Sequence, residues 1–350
     1  MGLRQGAIAF GFRMFGATGL HRAARPFTQG LGAILMFHRV APPRDDAFQP
    51  NRGLEISPEF LDLALAQAQA AGYELVSLDE ALARMRTGAS EFPFLALTFD
   101  DGYRDTAEVA LPILARHGAP FTVYVTTGFA DRTAHLWWVE MERAIAALDR
   151  VRLDIDGLVF DLPARTESEK QAAFRALYWP LRQGPEERLL TAVAGLCAAA
   201  EIDGAAIADE LCLDWKGVRA LAHHPLVAIG AHTLTHPMLA KLHANDARRE
   251  MAQSRAVLER EIGRRIDHFA YPVGDPASAG AREFALAREI GFASAVTTRP
   301  GMIFADHGDH ATALPRLSVN GNHQTWAALD VLLSGAPFMV WNRGRKLSVA

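Results

Sequence analysis

Cysteine is almost missing from this chain of 350 residues: Cys197 and Cys212 are the two present, and neither sits in a C-x-x-C pair. A disulfide framework is excluded, and the two are read as free, partly buried thiols. Also missing is any basic stripe interleaved with aromatics. With a formal net charge of −4, that sets nucleic-acid binding aside. No stretch approaches the roughly 18–20 apolar residues of a membrane span. An uninterrupted apolar run ending in a small-residue cleavage site, which a secretory signal needs, is absent too, because Arg13 interrupts the apolar stretch from Ile8 to Phe15. Residues 1–33 lack Asp and Glu altogether while carrying Arg4, Arg13, Arg22 and Arg25. Three readings of this segment stand open: a helix packed on the domain, a basic helix lying on a membrane surface, and a poor signal peptide. The expected location is the cytoplasm, with residues 1–30 as a peripheral membrane contact.

About half the residues are apolar and charge is moderate, as in an ordinary α/β enzyme. From residue 33 onward, short apolar runs rich in Val, Ile, Phe and Thr alternate with helical patterns. The runs are 33–40, 94–99, 120–127, 227–231, 266–271 and 292–298. Weak alternation within them is the pattern of strands covered on both faces. Helical stretches at 103–117, 246–262 and 281–290 are each followed by glycine, the residue that closes a helix in a left-handed conformation. Repeated strand–helix units imply a parallel sheet, open or closed into a barrel. Residues 131–225 break this rhythm. They read as a mostly helical insertion with a small hairpin at 154–161. The expected organisation is an N-terminal basic segment over 1–32, a catalytic domain over 33–325 and a C-terminal helix and tail over 326–350.

Three motifs carry chemistry. Thr98-Phe99-Asp100-Asp101-Gly102 follows a buried run and precedes a helix. In parallel α/β folds the site lies at the carboxyl ends of strands. Adjacent carboxylates there repel each other, and a cation would relieve that cost; a helix N-cap with a first-turn acid is the simpler alternative. The second motif, His232-Thr233-Leu234-Thr235-His236, places two imidazoles four apart. On a helical turn both would face one ion. Joined to a carboxylate from another strand end, they make a two-histidine, one-carboxylate set with open positions. Third, Phe269-Ala270-Tyr271-Pro272-Val273-Gly274 predicts a tight turn that offers backbone N–H groups to an oxyanion.

In this order the motifs resemble those of the polysaccharide deacetylase family, the group sharing the nodulation-protein-B homology region and also called carbohydrate esterase family 4. Leu35-Met36-Phe37-His38-Arg39-Val40 resembles a first-strand motif of many members. The resemblance runs from about 33 to 320. It implies a distorted (β/α) barrel with fewer than eight strands. It also implies removal of N-acetyl groups from an acetylated glycan containing N-acetylglucosamine. Asp101, His232 and His236 resemble the ligands of a divalent metal, usually Zn2+. Asp100 resembles the catalytic base, and the Tyr271 backbone N–H resembles an oxyanion contact. Tyr271, Pro272, Gly274 and His38 are the expected substrate-binding positions.

Two departures stand out. The arginine that orients the base is missing from the third motif, which holds His268 and Ala270 instead; Arg316 is the candidate replacement. The last motif, Leu-x-His, normally supplies the general acid, but Asn320 occupies that position. His323 is the nearest substitute, with His38 and His268 behind it. Hence two alternatives remain: a catalytically weak carbohydrate-binding member of the fold, or a deacetylase of some other acetylated amide or ester. Trp137, Trp138, Trp179 and Trp215 read as core rather than as sugar platforms, and His307 and His310 as loop residues rather than a second metal site.

Overall fold

The computed structural model describes residues 19–155 and 157–347; most of the N-terminal basic segment, residues 1–18, lies outside them. Eight strands form one parallel sheet: β1 (Gly32–Phe37), β2 (Glu74–Val76), β3 (Phe94–Phe99), β4 (Phe121–Val125), β5 (Val227–Ala231), β6 (His268–Ala270), β7 (Ser294–Val296) and β8 (Leu317–Ser318). Their order is β7-β6-β5-β4-β3-β1-β8. One edge of β3 is shared, with β2 pairing its first half and β4 its second. All six residues of β1 and of β3 are buried, which fits runs of Leu, Ile and Phe with no polar alternation. The sheet curls into a half-barrel. Residues 314–318 cross the remaining gap: Leu314 bridges Val296 of β7, and Leu317 pairs with Leu35 of β1.

The long apolar runs became strands where expected. β2 and β8 escape a sequence reading because three and two residues carry no periodicity. Helices follow the strands on the outside. Ala244–Ile262 and Ala281–Ile290 end at Gly263 and Gly291, both with positive φ. The helix after β3 is less regular than its sequence implies, since residues Thr106–Ala110 form a π-helical turn before Leu111–Arg116.

Residues 137–222 hold the helices Trp137–Ala147, Glu167–Gln183, Glu186–Ala199, Gly204–Leu211 and Trp215–Ala222. The hairpin is longer than expected, pairing Arg150–Ile155 with Leu158–Pro163. This stretch has an apolar core of its own, including Met141, Leu177, Val193 and Leu196, which Tyr103 and Phe129 of the barrel join. Trp137 and Trp138 are buried in it, while Trp179 is exposed and Trp215 donates to Asp131 Oδ1 at 2.6 Å. Cys197 and Cys212 are free and buried. Among the described residues no single helix is long and apolar enough to cross a membrane. Leu177→Ala is expected to cost about 2–5 kcal/mol, since it opens a cavity in a fully buried position. Urea unfolding followed by circular dichroism measures this, and a shift near zero would mean that the insertion core adds no stability.

Candidate active site at the strand ends

Each motif stands just past the C-terminal end of its strand, and the sheet register brings them to one level. The Asp100 N–H donates to the Phe37 carbonyl at 3.0 Å, and the His232 N–H to the Val125 carbonyl at 3.1 Å. Asp101, His232 and His236 thereby converge, with one potential ligand atom from each lying within 4.8 Å of the others. Asp101 Oδ1 is 3.4 Å from His232 Nε2 and 3.3 Å from His236 Nε2. It nevertheless has no hydrogen-bond partner, although it is buried. A buried carboxylate oxygen without a proton donor, facing two imidazole nitrogens, fits a divalent cation. His232 Nδ1 lies 2.7 Å from the Ala270 carbonyl, which turns Nε2 toward the cluster. Burial raises the Asp101 pKa, but the two histidines outweigh it and hold the group below the usual carboxylate range.

The two histidines are not on a helical turn. Residues 232–238 form a loop in which Thr233 and His236 both have positive φ. The ladder of a helix therefore does not aim the rings. Buried Glu250 on the helix Ala244–Ile262 does so from outside, accepting the N–H groups of Leu234 and Thr235 at 2.9 and 3.0 Å. From the other side, the Gly128 N–H donates to the Leu234 carbonyl, and a Cβ at Gly128 would come within 2.5 Å of that oxygen. Asp101 and Val273 have positive φ as well. Among the described residues, four of the seven non-glycine residues in this conformation thus lie in the three motif segments. For a β-branched residue such as Val273 it is a costly one, and such strain collects at functional sites. Neither Glu250 nor this strain shows in the residue pattern.

Arg316 meets Asp100 with both nitrogens: Nη1 donates to Oδ1 and Nη2 to Oδ2, each at 2.7 Å. Its Nε donates to the Thr297 carbonyl and its Nη1 also to Thr98 Oγ1. Both side chains are buried. Burial raises the Asp100 pKa, and the adjacent guanidinium overrides this, leaving the group below the ordinary carboxylate range.

The remaining candidates divide. His38, at the end of β1, joins the cluster electrostatically. Burial lowers its pKa, while the charges of Asp101 and Asp100 oppose that shift. His323 lies in the loop after β8, with its backbone N–H on the Asn320 carbonyl, and is not one of the three side chains of the candidate metal group. His268 is occupied elsewhere, 2.9 Å from Ser294 Oγ and 3.3 Å from Asp79 Oδ1. The Tyr271 amide corrects its expected role: it is committed to the sheet, donating to the Val296 carbonyl at 3.1 Å, and its hydroxyl donates to the Thr312 carbonyl. Pro272 and Gly274 form the tight turn, and the Val273 N–H between them donates to no described residue. His307 is buried, with its pKa pushed down to about 4 by burial, and forms no metal cluster with other described residues.

Trp138 packs on the His236 ring at 4.9 Å and donates through Nε1 to the Tyr103 hydroxyl. These two aromatics also wall a cavity of ≈ 180 Å³, shared with Arg39, Arg44, Asn51 and Glu142. Asn51 and Arg44 both donate to the Glu142 carboxylate there, at 2.8 Å each.

Residues 87–294 match the family model described as polysaccharide deacetylase. No curated protein sequence matches the chain. Among solved structures, the chain is similar to IcaB from Ammonifex degensii, at 17% identity and TM-score 0.55, over 87% of this chain and 98% of that one. It is also similar to the deacetylase PplD of Streptococcus pyogenes in complex with acetate, at 18% identity and TM-score 0.54, over 83% and 93%. A de-N-acetylase from Aggregatibacter actinomycetemcomitans aligns at 15% identity and TM-score 0.53, over 85% and 98%.

Removing one partner of a buried pair strands the other charge. Arg316→Met is therefore expected to destabilise the protein by about 3–5 kcal/mol at neutral pH. Because the folded Asp100 pKa lies below its unfolded value, the pair's contribution is present above pH ~4 and fades as pH falls through the folded pKa. The gap between wild type and variant in urea midpoint should accordingly narrow in acid. A gap that stays constant down to acid unfolding would contradict this.

Proposed function

The chain belongs to the polysaccharide deacetylase family, and we propose that it is a metal-dependent N-deacetylase of glycans containing N-acetylglucosamine, releasing acetate and a free amino sugar. The observation that carries this reading is the convergence of Asp101, His232 and His236 beside the Asp100–Arg316 pair. A divalent cation held by those three side chains, Zn2+ being the one best matched to two imidazoles and a carboxylate, would supply Lewis acidity toward the acetamide carbonyl and the attacking water. Asp100 is the base that receives the water's proton. Arg316 holds it ionised and fixed in one orientation, at the cost of making it a weaker base, so the water must itself be made acidic for the transfer to proceed. The oxyanion donor in the third-motif turn is the Val273 N–H, next in the chain to the committed Tyr271 and Pro272. At the end of β1, His38 is the proposed proton donor to the leaving amine, with His323 of the last motif as the alternative. The cavity beside Trp138 combines aromatic faces with paired donors and acceptors, the character of a site for a neutral sugar ring next to the reacting one.

One observation favours a second reading. Asn320, which cannot act as a proton-donating acid, stands where the Leu-x-His motif puts one. On that reading the protein binds acetylated glycan without turning it over.

Acetate release from N-acetylglucosamine and its oligomers, with and without a chelator, separates the two. Metal-dependent release that is faster for the dimer than for the monomer is expected. Asp100→Asn should reduce it by roughly 10²–10⁴-fold with zinc binding retained by calorimetry; full activity in that variant ends the assigned role of the base, and no release from any substrate favours the binding protein. His38→Gln is expected to lower kcat by at least about tenfold, and His323→Gln by less than about twofold. The reverse order would return the acid to the last motif.

A further inference from the structure

The end of the barrel away from the site carries a surface that the deacetylation chemistry does not use. The helix Leu20–Thr28 leads through Gly30 and Leu31 into the N-terminal end of β1. The C-terminal helix Ala336–Trp341 packs along it, anchored where Thr28 Oγ1 donates to the Ser334 carbonyl at 2.6 Å. Between them, these two short helices expose four large apolar side chains: Leu20 at 62%, Phe27 at 77%, Val340 at 72% and Trp341 at 55%. Core-forming residues held this far out, on two helices in contact, form a patch rather than scattered single exposures.

The terminal segments that build the patch are basic: residues 19–33 and 331–347 contain no Asp or Glu, in a chain whose net charge is −4. Arg22 is exposed beside Leu20, and Arg343, Arg345 and Lys346 are exposed just beyond Trp341. Asp330, the last acid before the tail, offers no compensation at the surface. It is buried, and its carboxylate is taken up by His21, Arg22 and Arg25. That buried cluster also locks the N-terminal helix to the helix Trp326–Leu333, so the exposed apolar side chains ride on a fixed platform.

We propose that this paired-helix face docks on an anionic lipid bilayer, the apolar side chains entering the interface and the arginines meeting lipid phosphates. Apolar side chains flanked by the exposed Arg343 and Arg345 fit that surface better than a protein partner with an acidic groove, because they are spread over two helices rather than forming a single stripe. The patch lies toward the N-terminal ends of the strands and the site at their C-terminal ends, so docking leaves the cluster of Asp101, His232 and His236 open to glycan. The inference stands apart from the deacetylase reading and does not need it.

Cosedimentation of the full chain with vesicles tests it. Vesicles of phosphatidylcholine mixed with phosphatidylglycerol should bind at least about tenfold more tightly than phosphatidylcholine alone, with the difference shrinking at high salt. Replacing Arg343 and Arg345 together by Glu should remove that preference, and Phe27→Ser with Val340→Ser should weaken binding to the same vesicles. These positions are exposed, so an unchanged unfolding midpoint serves as the control for folding. Equal binding to both vesicle types, no binding by the wild type, or a dimer in solution that Phe27→Ser dissolves would each overturn the proposal, the last by assigning the patch to a second copy of the chain.

Discussion

A carboxylate and a guanidinium, both out of reach of water, face each other across the gap in the barrel. Asp100 and Arg316 are 216 residues apart, and neither is tolerable in its position without the other. The pair forms only when residues 314–318 lie across the opening between β7 and β1. In that position Arg316 is fixed as well by the Thr297 carbonyl and the Thr98 hydroxyl. Closure of the barrel and orientation of Asp100 are therefore one event. A side chain held by four hydrogen bonds has little freedom to release the carboxylate, so Asp100 stays ionised and keeps its direction.

Beside it, the cluster of Asp101, His232 and His236 is built in the opposite way. Asp101, Thr233, His236 and Val273 sit in conformations that cost energy for side-chain-bearing residues, and packing from other elements holds them there. Glu250 grips the histidine loop from one helix, and the carbonyl contact at Gly128 steadies it from the other side. Trp138, buried in the insertion core, closes one flank of His236. The helical stretch 137–222 is thus coupled to the cluster by this ring contact, by Glu186, which accepts the Met238 N–H at 3.1 Å, and by the Leu213 N–H, which donates to the Gly102 carbonyl at 3.0 Å; the same tryptophan joins it to the bordering cavity.

The chain segregates its tasks by the direction of its strands. Strand ends at the carboxyl side collect the titratable groups, while the two termini gather apolar and basic residues at the other end. The buried Asp330 cluster ties N-terminal to C-terminal helix, so this second face is as firmly constructed as the first.

Much of the site was legible before any coordinates. Asp-Asp at one strand end, two histidines four apart at another, and an arginine in a third segment are short, ordered signals that chemistry itself demands. The long strands were equally readable, because burial on both faces forces continuous Leu, Ile, Phe and Val. What stayed hidden depends on distance through space. Two- and three-residue strands have no period to detect. The histidine loop looks helical by spacing, yet turns through positive φ. The Tyr271 amide looks available in the sequence and is spent on Val296 in the sheet. Sequence alone determined which side chains are equipped for chemistry and in what order they stand, since residue type fixes ligand character and hydrogen-bonding capacity. Tertiary structure alone decided that Arg316 meets Asp100 and that Glu250 holds the histidine loop. Those pairings join residues far apart in the chain, and only the register of the parallel strands brings them to one level.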